Sequence, residues 1–210
     1  MYALVEDGSI TKMLSGNRGI TIGDNQYPKA IFNLWTKSER EAIGIYEVEM
    51  DNSKRKDEQW YINTNVTYAF GSGKVTGSYG DATAKAHTDV KWTQSEINAG
   101  NAPNGADTNT VKTEGLKTKL IRNVKAEANQ LLSQTDWYVT RKSEKSTAIP
   151  SNITTWRNGI RSKQAAMETS ITNASDTPAL ETLYTYVNTA DEGDPVVIER
   201  PLGEFPVLGS

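Results

Sequence analysis

The chain holds few of the residues on which most enzymes depend. His87 is its one histidine, and it has no cysteine, which excludes disulfides, thiolate zinc sites and cysteine nucleophiles. A Ser/His/Asp site would have to use His87, yet no Gly-x-Ser-x-Gly segment supplies a nucleophile elbow. The run Gly71-Ser72-Gly73-Lys74 lacks the spacing of a phosphate-binding loop and is typical of a hairpin turn. We therefore expect no enzymatic activity, no cofactor and no metal site.

Carboxylates are the one catalytic resource that is abundant, with 26 Asp and Glu residues in the chain. A glycosidase needs only two of them, so composition alone leaves that chemistry open. None of them stands in a sequence context that indicates a pocket. The acidic turns at 51–53 and 191–194 lack the ligand spacing of a calcium loop.

The charge and hydropathy patterns argue against nucleic-acid and membrane partners. The net charge is −3, and acids flank the one basic run, Lys54-Arg55-Lys56, on both sides. No stretch approaches the roughly 18–20 apolar residues that a membrane helix needs. The first seven residues carry acid where a signal peptide carries base. We expect the chain to stay in the cytoplasm of its host or to be packed into a particle there.

Hydrophobic residues make up 36% of the chain, and Thr, Asn, Ser and Gly replace the apolar residues of an average domain. Such a composition predicts several small folded modules, and the strand and helix patterns along the chain predict an α+β class. We expect a small α/β module, a middle rich in β-hairpins, a polar linker, a helical hairpin with a third short helix, and an extended tail containing proline. In order, these are residues 1–50, 51–79, 80–111, 112–190 and 191–210.

Turn signals define the strands of the N-terminal half. Asp7-Gly8 separates apolar segments at 2–5 and 10–14, and Gly71-Ser72-Gly73 separates two further segments, so both predict hairpins. The alternation at 45–49 is typical of an exposed edge strand. Thr36 or Ser38 is expected to cap a brief helix before it, with Ser38 and Glu41 at capping-box spacing.

Helical periodicity dominates the C-terminal half. A first helix over 112–134 is predicted by one apolar stripe: Leu116, Leu120, Val124, Ala128 and Leu131. A second begins near Pro150 and has its own apolar face: Ile153, Trp156, Ile160, Met167 and Ile171. Residues 141–147 between them are predicted to be a polar loop. Pro178 begins a third, short helix.

Residues 118–175 resemble the helical domain of bacteriophage tail assembly chaperones and tail-fibre assembly proteins. The resemblance rests on Arg122, on Leu131 to Trp137 with its Asp-Trp pair, on Ile149-Pro150, and on Trp156 to Arg161. The family more often has Tyr at position 156 and Ala-Leu at 159–160. Tyr27-Pro28, Trp35 and residues 38–45 are similar to the small N-terminal module of tail-fibre-associated proteins.

The resemblance implies a non-enzymatic protein of the virion tail or of the infected bacterial cytoplasm. It would assist assembly or attachment of a tail-fibre or other tail protein through protein–protein contacts. A permanent structural component, such as a fibre or baseplate adaptor, is the alternative. A receptor- or glycan-binding module is a further one, with six candidate stacking residues: Trp60, Tyr61, Tyr68, Phe70, Tyr79 and Trp92.

Trp and Arg are the usual anchors of protein interfaces, and both similar segments contain such residues. The candidate partner-binding residues are Trp35, Trp137, Trp156, Arg157 and Arg161. The alternative for the helical ones is a structural role. Leu131, Trp137 and Trp156 would then close a helical hairpin, and Asp136 would pair with Arg157 or Arg161 across it.

Overall fold

The computed structural model describes residues 1–209 and confirms a mixed α+β class with a helical C-terminal region. Ser210, the last residue of the predicted tail, lies outside the described residues. The chain divides into two units, Met1–Thr83 and Ala84–Ser210. The short strand β9 (Thr83–Ala84) spans the boundary between them.

The N-terminal unit is built on a five-stranded sheet with the order β2-β1-β5-β8-β7. Its elements are β1 (Tyr2–Glu6), β2 (Ser9–Leu14), β3 (Ile20–Ile22), β4 (Asn25–Tyr27), α1 (Ile31–Leu34), α2 (Lys37–Glu41), β5 (Ile45–Asp51), β6 (Tyr61–Ile62), β7 (Thr67–Gly71) and β8 (Lys74–Ser78). Both predicted hairpins are confirmed, β1–β2 and β7–β8. Each turns through two residues with positive φ, as a tight hairpin turn requires: Asp7-Gly8 and Ser72-Gly73.

The alternation of side chains along β1 gives this sheet a core on each face. Leu4 packs into a cluster with Leu14, Ile31, Phe32 and Ile45. Ala3 and Val5 point to the opposite face and pack with Val75.

The predicted edge strand at 45–49 is wrong, because β5 lies inside the sheet between β1 and β8. Its parallel partner β8 comes about 25 residues later, so no local pattern indicates the pairing. For the same reason the predicted segments 1–50 and 51–79 share one sheet. Thr36, not Ser38, caps α2, and its capping box is completed by Glu39.

The C-terminal unit is mainly helical. Its elements are β10 (Val90–Lys91), α3 (Gln94–Asn98), β11 (Val111–Thr113), α4 (Leu116–Ser133), α5 (Asp136–Lys145), α6 (Ser151–Asn173), α7 (Thr177–Tyr184), β12 (Val187–Asn188) and β13 (Ile198–Glu199). The helices expected from the two apolar stripes and from Pro178 are confirmed as α4, α6 and α7.

Three predicted segments differ from the structure. Residues 141–147 are not wholly a loop, because α5 continues to Lys145 and ends at Ser146 with φ +55. The predicted linker 80–111 contains α3 and the antiparallel pair β10–β11. Within the predicted tail, Leu202 and Phe205 are buried, because the chain returns to the helices there.

Candidate protein-binding site

Helices α4 and α6 pack against each other and form the rigid base of the candidate site. All but one of the residues predicted to line the two helices are buried; Leu131 is half-buried. The buried ones are Leu116, Leu120, Val124, Ala128, Ile153, Trp156, Ile160, Met167 and Ile171. Burial of this size holds both helices in fixed register.

The N-terminus of α4 is held by the polar segment that precedes it. The backbone N–H groups of Leu116 and Lys117 donate to carbonyls at 86 and 87. The N–H of Gly115 donates to Asp89 Oδ1 at 2.7 Å, and this bond lowers the pKa of the Asp89 carboxyl, with a second contribution from the Thr118 side chain. These bonds satisfy helix N–H groups that have no partner within the helix.

Arg157 fixes the corner between α4 and α5. Its guanidinium donates to the Leu132 carbonyl at 2.8 Å, to Thr135 Oγ1 at 2.7 Å and to Asp136 Oδ1 at 2.9 Å. Arg157 and Thr135 are both buried, at 7% and 2% exposure. Three acceptors of its own chain hold this buried guanidinium, so Arg157 serves the fold in this structure.

Trp156 is also engaged within its own unit. It is buried, and its indole Nε1–H donates to the Pro206 carbonyl at 2.8 Å. The Pro206 ring lies against Gly159, where an added Cβ would be 3.3 Å from its Cγ. The close approach of the C-terminal segment thus explains the glycine inside α6. Trp156, Pro206, Val207 and Leu208 line a groove there.

The other three candidates lie in different surroundings. Trp137 is 52% exposed at the start of α5. Arg161 is exposed on α6 and has no ion pair among the described residues. Trp35 belongs to the N-terminal unit, where it is half-buried and meets Tyr27 edge-on with ring centroids 5.8 Å apart. The structure therefore brings Arg157 and Asp136 together, holds Trp156 against the C-terminal segment, and leaves Trp137 52% exposed.

Two residues beside Trp137 were missed from the sequence. The guanidinium carbon of Arg141 lies 4.7 Å from the Trp137 ring centroid and 5.1 Å from that of Tyr138. The two rings are themselves 3.8 Å apart, centroid to centroid. Spacings of three and four residues on a helix would have indicated this cluster, but only if 136–145 had been predicted as helical.

The aromatic residues proposed for glycan stacking do not form one open surface. Trp60 and Tyr61 are buried, at 3% and 9% exposure. Phe70 packs edge-on against Tyr46 with centroids 4.8 Å apart. Trp92 belongs to the C-terminal unit, where Lys112 lies over its ring. This arrangement gives the glycan-binding alternative no support.

Among residues 1–209 no group of three or more His, Cys, Asp and Glu side chains is arranged to hold a metal ion. No helix in that range is long and apolar enough to span a bilayer. His87 is half-buried, and its carbonyl accepts the N–H of Lys117.

Comparison with known proteins finds no match for this chain. No protein-family model matches it. No curated protein and no solved structure is similar to it either.

Proposed function

We propose that this chain is a non-enzymatic bacteriophage tail protein that assists the assembly or attachment of a tail-fibre or other tail protein. The observation that carries the proposal is the corner around Arg157. The Asp-Trp and Trp-Arg pairs, on which the resemblance to tail assembly proteins rests, meet there. Arg157 binds Asp136, while the neighbouring Trp137 is left 52% exposed on a helix.

Exposed apolar surface supports a role in protein binding. Helix α5 exposes Trp137 and Val139, and the β12–β13 hairpin exposes a second set of apolar side chains: Tyr186, Val187, Val196, Val197 and Ile198. Exposed aromatic and aliphatic side chains of this kind are common at protein–protein interfaces.

A permanent virion component is the second candidate function. The exposed β12–β13 hairpin favours it, because a structural subunit would keep such a surface covered in the particle. The same surface in a transient assembly factor would be covered only while its client is bound.

The experiment is mass spectrometry of purified phage particles and of infected-cell lysate, counting this chain against the tail-fibre protein. A simple integer ratio in the particle indicates a structural component. Absence from the particle, with the chain bound to fibre or tail protein in the lysate, indicates a released assembly factor. Absence from the particle, with no tail protein bound in the lysate, contradicts the proposal.

A further inference from the structure

We propose that Trp137, Tyr138 and Arg141 on α5 form an anchor site for a carboxylate side chain of a partner protein. The partner segment is acidic and apolar, and it covers the exposed face of α5. This inference rests on the proposed function, since it names the surface that the partner contacts and the chemistry of the partner.

The first support is that most of α5 is exposed. All ten of its residues are described; Tyr138 and Arg141 are half-buried and the other eight are exposed. A helix this short is marginal on its own in water. Its N-terminal end is fixed through Asp136 and Arg157, but the rest of the helix, with Trp137 and Val139 exposed, is presented to solvent.

The second support is that Arg141 has no acceptor among the described residues. Its Nε–H is buried and has no hydrogen-bond partner there, and its guanidinium forms no ion pair there. A buried donor without an acceptor is unfavourable, because it has lost its hydrogen bond to water. The two aromatic rings hold the guanidinium in place, but a ring face does not replace a hydrogen-bond acceptor.

Comparison with the other arginines of this chain identifies what is missing. Three further arginines lie over aromatic rings, and each pairs with a carboxylate of its own chain: Arg40 with Glu47, Arg55 with Glu58 and Arg200 with Glu204. Arg200 is the closest parallel, because it also lies over two rings, Tyr184 and Tyr186. Arg141 lies over the rings of Trp137 and Tyr138 but pairs with no carboxylate of the described residues.

The charges on α5 also favour an acidic partner segment. From 137 to 145 the helix carries Arg141, Lys142 and Lys145 against Glu144, so three cations face one carboxylate. The chain as a whole has a net charge of −3, so this segment of α5 is more basic than the chain as a whole. A partner carboxylate would accept from the Nη groups of Arg141, since Nε is buried, and an apolar neighbour would cover Trp137.

The test uses the full ¹⁵N-labelled chain and a capped heptapeptide of alternating Leu and Glu, with the matching Leu/Gln peptide as control. We expect the Trp137 indole N–H and Arg141 Nε–H signals to shift saturably with the Glu peptide. The chain should bind the Gln peptide at least about tenfold more weakly than the Glu peptide. Added salt should weaken binding of the Glu peptide. Equal affinity for the two peptides, or no shift at Trp137, would overturn the inference.

Variants separate Arg141 from other cations. Arg141→Gln should lose at least about tenfold in affinity for the Glu peptide, while Arg161→Gln, which removes an exposed unpaired arginine from α6, should bind like the wild type. Arg141→Lys keeps the charge but not the planar fork, and it should fall between them. The other four indole signals report whether each variant is folded. Equal binding by the Arg141→Gln and Arg161→Gln variants would contradict the proposal.

The outcomes also separate this inference from the proposed function. If the wild-type chain binds a tail protein and Arg141→Gln binds it equally well, the anchor site is wrong and the function stands. If the chain binds no tail protein but the Glu peptide shifts Trp137, the function is wrong and the anchor site stands.

Discussion

Trp156 and Arg157 on α6 and Trp137 and Arg141 on α5 are the same two residue types, yet their surroundings differ. On α6 the indole N–H and the guanidinium have protein acceptors, and both side chains are buried. On α5 the indole is 52% exposed and the Arg141 Nε–H has no acceptor within residues 1–209. Residue type marks both pairs as possible interface anchors. Only burial and hydrogen bonding separate the pair held by the fold from the pair that we propose binds a partner.

The largest expected effect comes from truncating the buried tryptophan. Trp156→Ala should lower the free energy of unfolding by about 3–5 kcal/mol, because it leaves a cavity and removes the bond to Pro206. Trp137→Ala should lower it by less than about 1 kcal/mol, since that ring is half in solvent. Urea denaturation followed by circular dichroism measures both. Similar losses in the two variants would contradict the comparison.

The second effect concerns the buried guanidinium. Arg157→Ala should lower the free energy of unfolding by about 3 kcal/mol, because Leu132 and Thr135 lose a charged donor in a buried site. Arg161→Ala, one helical turn further along α6, is the matched control and should change stability by no more than about 0.5 kcal/mol. Urea denaturation measures both variants. If Arg161→Ala lowers the free energy of unfolding as much as Arg157→Ala does, the corner between α4 and α5 does not depend on these bonds.

A third effect tests whether residues 86–89, the polar segment that contacts the start of α4, stabilise that helix. At Gly115 an added Cβ would lie 2.3 Å from the Thr88 carbonyl carbon. Gly115→Ala should therefore lower the free energy of unfolding by about 1–3 kcal/mol. Gly71→Ala is the control, because nothing lies within 4 Å of a Cβ there. Thermal unfolding that is unchanged in Gly115→Ala would mean that residues 86–89 do not hold α4.

The smallest effect concerns a cation that does have its own carboxylate. Lys112 lies over Trp92 and donates to Glu96, and this bond, with one from the Thr93 backbone, lowers the pKa of Glu96 to about 2. Because the folded pKa is depressed, the associated stability is present above about pH 4.5 and is lost as pH falls towards about 2. Lys112→Gln should raise the Glu96 pKa towards its usual value. A ¹³C NMR titration of the Glu96 carboxyl measures this, and an unchanged midpoint in the variant would contradict the pairing.

The sequence predicted what local periodicity encodes. The stripes of α4 and α6 and the two hairpins follow from spacing alone, and they are present. Helix α5 was missed because Trp137, Tyr138 and Val139 are consecutive and show no helical period. Its start is fixed instead by Arg157, about 20 residues further along the chain. The place of β5 inside the sheet was missed for a similar reason, because its partner β8 is distant in sequence.

The residues of the candidate site could also be predicted only in part from the sequence. The pairing of Asp136 with Arg157 was among the sequence hypotheses, and the structure contains it. Arg141 was not predicted, because it was assigned to a loop. The contrast between Arg157 and Arg141 is invisible in the sequence. The acceptors of Arg157 lie at the corner between α4 and α5, more than 20 residues earlier in the chain, whereas the Arg141 Nε–H has no acceptor among the described residues.

Hydrogen–deuterium exchange on the isolated full-length chain tests the comparison between the two pairs most directly. We expect amides of the buried part of α6 to be strongly protected and those of α5 after its first turn to exchange quickly, because no buried side chain stabilises α5. Adding the Leu/Glu peptide should slow exchange in α5 alone. Protection of α5 equal to that of α6 in the isolated chain would contradict our proposal that Trp137 and Arg141 bind a partner.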